Sequence, residues 1–310
     1  MGPILLLLAA LLWGSAFVAQ KLAAEHLGPF AVTCARNVIG GAFIYLCFRL
    51  RLRLWGRAGI PPGARSFSPR AFAGGVAAGV ALFLASLSQQ IGITYTTPGI
   101  SAFLTSNYMI LVPLFGLFVG RRAGARVWLW AALALGGTYL LCVEPSAAVP
   151  ALGRGEAWTL LCAALFAVQV LCVDRFAPGT DILAFSCIQQ FTGAVCAAPF
   201  LFTAAERAFY TTAHLAAATG PLLYIAILSS GIAYTCQNLG QVRTPPALAT
   251  IIMAQESAIG AICGALVLGD VLTTRQIVGC GVMLAAVILS QIFNRTEQTR
   301  AATDGGKGER

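Results

Sequence analysis

Glu256 lies about eight residues inside an apolar block, which is about 12 Å deep on a helix rising ~1.5 Å per residue. A charged carboxylate at a helix centre costs on the order of 3 kcal/mol to insert into lipid, so such a group is protonated, paired or facing water. It could touch a substrate, act as a proton-linked switch, or serve as a structural partner for Arg36 or nearby hydroxyls. Arg36 lies about six residues into another block, about 9 Å from its end. There its long side chain can snorkel or bind backbone carbonyls, so its structural reading leads.

Amides at membrane depth form a second set. Gln89, Gln90, Asn107, Gln237, Asn238 and Gln255 are costly in lipid unless hydrogen-bonded. They either tie helices together or line a wet cavity. Asn107 and Gln255 are expected to face a cavity, and Gln89 and Gln237 are substrate-binding candidates with them. Trp13, Tyr95, Tyr108 and Tyr234 could stack on a solute or serve as packing. Trp13 is the strongest of these, mid-block beside Gly14 and Ser15.

The elements that must position these groups follow from composition. Hydrophobic residues are 58% and charged residues 10% of the 310, against roughly 45–50% and 25% in soluble domains. A soluble fold with so few charges would expose large apolar patches. Ten apolar blocks stand out, at about 4–20, 30–48, 71–93, 100–120, 127–143, 157–173, 182–202, 221–239, 248–269 and 277–293. They are too long and too evenly apolar for barrel strands, so an all-α membrane protein of ten spans is expected. Pro98 and Pro246 open the fourth and ninth blocks, where proline sets helix entry at little cost. Gly75 with Gly79, Gly116 with Gly120, and Gly260 with Gly264 have helix-packing spacing. The polar tail 294–310 is expected to be disordered.

Charge sets orientation. Ten spans put both termini on one face, and fifteen Lys and Arg fall on that side against four opposite, leaving out Arg36. This bias predicts cytoplasmic termini. The net charge of +9 therefore reflects membrane topology rather than a nucleic-acid partner. Ten cysteines lie inside apolar blocks without a CxxC pair, and His26 and His214 sit in different loops. Neither metal nor cofactor is expected. The apolar N-terminus lacks a basic n-region and is expected to be a retained first span.

A weak internal echo runs through the chain. The stretch SQQIGITYTTPGISAFL from Ser88 aligns without gaps to CQNLGQVRTPPALATII from Cys236. It pairs Gln89 with Gln237, Gly92 with Gly240, Thr96 with Thr244, Pro98 with Pro246, Asn107 with Gln255 and Gly116 with Gly264. An odd repeat of five spans enters the membrane inverted, with its site at the midplane between the copies. The repeats are expected at 1–145 and 155–293.

With ALLWGSAFVAQK, TCARNVIGGAF and GEAWTLLCAALFAVQVLCVDR, these segments resemble the drug/metabolite transporter superfamily in its EamA-type ten-helix branch. The resemblance implies a carrier with a central cavity lined by spans one, three, four, six, eight and nine. The position of Arg36 is commonly Arg in such proteins. Their ninth span often carries Glu-Pro, where this chain has Glu256-Ser257, which implies a milder kink.

The expected function is a secondary transporter of a small organic metabolite, such as an amino acid, an amine or a related solute. It would cross the cytoplasmic membrane by gradient-driven alternating access, with Glu256 as the ion-coupling candidate through protons. No Walker A pattern supplies an ATP engine. A multidrug or toxic-compound exporter of the same fold is the alternative. An intramembrane enzyme would need HExxH, GxSxG or a histidine within a span, and a channel would need a repeated filter; the sequence offers none of these. Oligomeric state is left open.

Overall fold

The computed structural model describes residues 1–61, 64–96, 98–120, 123–143, 153–268 and 271–305. Among them the regular elements are helical, and ten helices are long and apolar enough to cross a membrane. In chain order these spans are Gly2–Ala24, Pro29–Trp55, Pro69–Tyr95, Ile100–Phe118, Ala125–Cys142, Arg154–Phe176, Ile182–Phe202, Thr212–Gln241, Pro246–Cys263 and Thr274–Phe293. In lipid, an apolar stretch of this length has only its own carbonyls as partners for its N–H groups, which makes it helical.

Each apolar block marks one helix, but the helix ends differ. The second span runs on to Trp55, so Arg49, Arg51 and Arg53 sit on its last turns rather than in a loop. The eighth starts at Thr212, well before its apolar block. The last helix runs from Thr274 to Gly305, past the end of its apolar block into the polar tail, whose residues 306–310 lie outside the described residues. Hydropathy finds only the part of a helix inside hydrocarbon, whereas backbone hydrogen bonding continues into the polar interface. Arg121, Arg122, Lys307, Arg310 and the expected boundary at residue 145 lie outside the described residues.

The packing has an internal symmetry. The third span packs on the sixth, and the first packs on the eighth; exchanging each span for the one five places away turns one pair into the other. The same exchange relates the first–ninth contact to the sixth–fourth, and the third–seventh to the eighth–second. The second–seventh and fifth–tenth pairs map onto themselves. Five-span units related in this way form an inverted repeat with a pseudo-two-fold axis through the centre.

The second and seventh spans are pinned together at both ends. On the face carrying the termini, Arg51 grips Asp181 in a two-point ion pair, with Nη1 3.0 Å from Oδ1 and Nη2 on Oδ2. Asp181 also caps the seventh span by accepting from the Leu183 N–H at 3.1 Å. On the opposite face Glu206, 2% exposed, accepts from the backbone N–H groups of Phe30 and Ala31, both at 3.0 Å. A carboxylate there satisfies two donors that a helix N-terminus leaves free and meets the positive end of its dipole.

Glu206→Ala is expected to lower the thermal midpoint by removing these bonds, at a cost of about 1–3 kcal/mol. Heat-induced labelling of the buried cysteines by a thiol-reactive dye measures it. Glu206→Gln should recover part of the loss, and an unchanged midpoint in the alanine variant would refute the cap.

Candidate functional site

Two spans are broken at the centre of the bundle. The fourth is helical over Pro98–Thr105 and again over Tyr108–Phe118. The ninth is helical over Pro246–Met253 and again over Gln255–Leu268. Pro98 and Pro246 begin their helical segments, as their type predicts. The gapless repeat alignment puts the two breaks at matching positions. They meet across the bundle, where the Ser106 and Ser257 hydroxyls lie 3.0 Å apart. The ninth span is interrupted at Ala254, one turn before Ser257, with no proline at 257.

The eighth span has its own irregularity, a π-helical segment over Ile225–Ala233. A π turn shifts the i→i−4 ladder and exposes carbonyls to other donors, often at functional sites. Trp13 Nε1 donates to the Ser229 carbonyl at 3.3 Å, and Gln190 Nε2 to the Ser230 carbonyl at 2.7 Å. Gly40 lets the second span approach this segment: a Cβ there would lie 2.8 Å from the Ala226 carbonyl oxygen.

These irregular segments surround one cavity, lined by Trp13, Phe17 and Gln20 of the first span, Arg36, Gln89, Tyr108, and Phe166, Gln169 and Val170 of the sixth. Ser229, Tyr234, Gln237, Met253 and Glu256 complete the wall. Its volume is about 40 Å³, far below the ~300 Å³ at the small end of solute pockets. The walls are drawn together in this conformation, and a solute larger than water requires them to part.

One buried cation and one buried carboxylate face this cavity. Arg36, 5% exposed, donates to Ser230 Oγ at 2.8 Å, Ser229 Oγ at 2.9 Å and Gln20 Oε1 at 3.4 Å. Glu256, 7% exposed, accepts from the Tyr108 hydroxyl at 3.4 Å. Of the alternatives the sequence left for Glu256, the hydroxyl contact is present and no bond to Arg36 is formed: Arg36 is held by hydroxyls and an amide. Hydroxyls on the π segment reach the guanidinium, and both groups line the same cavity.

A directional amide chain forms another wall. The Gln241 side chain donates to the Val170 carbonyl at 3.2 Å, and a carbonyl can only accept, so Gln241 Oε1 is left as an acceptor. Gln237 Nε2 donates to it at 2.8 Å and to Gln169 Oε1 at 3.0 Å. Gln237 Oε1 and Gln169 Nε2 then remain without protein partners. One acceptor and one donor thus remain unused on two residues of the cavity wall, and leaving each unmet costs about 1–3 kcal/mol.

A profile of the EamA-like transporter family matches residues 1–143 and 153–291. The chain belongs to the EamA-like transporter family. It is a multi-pass membrane transporter of two five-helix repeats and not an enzyme. An uncharacterized transporter from Archaeoglobus fulgidus is 28% identical over 286 residues, covering 92% of this chain and 83% of the relative. A solved crystal structure is similar over 95% of this chain and 98% of its own, with a TM-score of 0.75 and 16% identity. That likeness shows the shared fold.

In this EamA-like protein, Trp13, Gln89, Tyr108, Gln237 and Glu256 are brought to one cavity. Asn107 and Gln255 are not, which corrects their expected placement. Asn107 turns back to the Phe103 and Leu104 carbonyls of its own span, and Gln255 donates to the Met283 carbonyl of the tenth span. Asn107 sits at the fourth-span break and bonds carbonyls of its own span, whereas Gln255 reaches across to a carbonyl of a neighbouring helix. Asn238 bonds Ser186 and Gln189 as helix glue. Gln20, Gln169, Ser229 and Ser230 went unmarked in the sequence. For the glutamines the signal was present, an amide inside an apolar block, whereas the serines matter through a π segment with no sequence signature.

Gly14 sets the contact between the first and ninth spans: a Cβ there would lie 2.6 Å from the Glu256 carbonyl oxygen. Gly14→Val is expected to push Trp13 and Glu256 apart, costing about 1–3 kcal/mol of stability and abolishing transport. A variant with wild-type uptake in liposomes would show that this approach is dispensable.

Proposed function

We propose that this transporter is a secondary carrier for a small organic solute bearing both an amine and an acidic group, such as an amino acid. It works by alternating access across the cytoplasmic membrane of a cell, with both termini in the cytoplasm, and draws on a proton gradient through Glu256. The observation that carries this reading is the presence of both Arg36 and Glu256 on one buried cavity, with different partners and contributed by different repeats. A zwitterion offers an anionic end to the guanidinium and a cationic end to the carboxylate, which meets two charges that lipid cannot solvate.

The residues divide the work by chemistry. Trp13, Phe17, Tyr108, Phe166 and Tyr234 present apolar faces for the body of the solute; Trp13 and Tyr234 have ring centroids 4.9 Å apart. Gln169 and Gln237 offer their spare donor and acceptor to its polar groups. Glu256 sits just after the ninth-span break and contacts Tyr108 just after the fourth-span break, so a change in its charge acts where the repeats meet. The aromatic lining also suits an exporter of amphipathic toxic compounds, the second reading.

Reconstituted in liposomes, wild type is expected to take up label from a pooled mixture of radiolabelled amino acids when an inward-directed proton gradient is imposed. Glu256→Gln should lose gradient-driven uptake, and Arg36→Ala should lower uptake about tenfold or more, equivalent to about 1.4 kcal/mol of lost interaction. Gradient-independent uptake that survives Glu256→Gln would refute the coupling role. Displacement of label by lipophilic cations but not by amino acids would favour the exporter reading.

A further inference from the structure

Outside the cavity, the fold brings together the chain's two histidines, which are 188 positions apart. His26 lies in the turn between the first and second spans, and His214 in the first turn of the eighth. Their Nδ1 atoms are 3.3 Å apart, with ring centroids 5.5 Å apart and ring planes tilted by 51°. At this distance two neutral imidazoles share one hydrogen bond, either ring donating according to its tautomer. The same spacing also suits two imidazoles on a tetrahedral zinc, since zinc–nitrogen bonds of ~2.0–2.1 Å at the tetrahedral angle put the nitrogens about 3.3 Å apart.

We propose that His26 and His214 form a two-imidazole binding site for zinc or a similar divalent transition ion, clipping the two repeats together on the face opposite the termini. Both rings are half-buried and each borders an aqueous loop. Their backbones are fixed independently of each other. The His26 N–H donates to the Ala23 carbonyl at 3.2 Å, and the His214 N–H to Thr211 Oγ1 at 3.2 Å. The edge of Phe209 braces the His214 ring at 6.0 Å. Two residues beyond the first turn, Glu206 grips Phe30 and Ala31 and so holds that turn against the segment leading to His214.

The charged neighbours along these segments are balanced. Lys21 and Glu25 lie on the first span and its cap, and Glu206 and Arg207 on the short helix before His214. An incoming dication therefore meets no net like charge. Among the described residues no third His, Cys, Asp or Glu completes the set, so water fills the remaining coordination positions. A bound ion would link the two segments in addition to Glu206, opposing any motion that separates them.

Calorimetric titration of tag-free protein with zinc chloride tests the site directly, using the His26→Ala/His214→Ala double variant as background because the chain also has ten free cysteines. Wild type should bind one zinc above that background and gain thermal stability with it. His26→Ala and His214→Ala should each weaken binding about tenfold or more, while His26→Gln reports loss of the ligand with most of the side-chain volume retained. A double variant that binds zinc as wild type does, or a single variant with unchanged affinity, would overturn the site. So would the absence of zinc binding by folded wild type.

Discussion

A guanidinium at membrane depth must be surrounded by acceptors, because lipid supplies none. Arg36 meets this requirement only if the second span lies close enough to the eighth for two serine hydroxyls to reach it. That approach depends on Gly40 and on the π segment over Ile225–Ala233. The same segment releases carbonyls that hold Trp13 of the first span and Gln190 of the seventh. Four spans are thus arranged around one cation, and the cavity lies on its open side.

The symmetry of the repeats puts a second requirement on the centre. Spans four and nine break at matching positions, which exposes backbone groups that need partners within protein. Asn107 meets part of that need by bonding the Phe103 and Leu104 carbonyls, while Gln255 ties the ninth-span break to the tenth span. The Ser106–Ser257 contact joins the two breaks to each other. Interrupted helices facing across a pseudo-two-fold axis are a construction in which small rotations of one repeat against the other change access to the middle. The clasps at both ends of the second and seventh spans bind that pair together.

Much of the fold was legible in the residues. Apolar length located every span, and the Gln–Gly–Thr–Pro echo pointed to the repeat whose two copies the family profile matches separately. Trp13 and Glu256 could be singled out because a polar or bulky residue inside an apolar block demands explanation. What misled the sequence reading was the direction of side chains near irregular backbone. Asn107 and Gln255 had the same credentials as Gln89 and Gln237, yet they turn to nearby carbonyls. Helical periodicity gives a direction only where the helix is regular, and at a break the local ladder that sets it is gone.

By itself, then, the sequence determined the membrane, the count of spans, their duplication and the presence of charges that lipid cannot tolerate. These follow from composition and spacing, since solvation in hydrocarbon acts on each residue wherever its neighbours lie. Only the tertiary structure decided which groups answer those charges. Arg36 meets serines 193 and 194 positions away rather than Glu256, and a histidine in a turn meets one at the start of the eighth span at 3.3 Å. Such partnerships depend on a π turn, two broken helices and close approaches at Gly14 and Gly40, where a displacement of an ångström or two changes which acceptor is in reach.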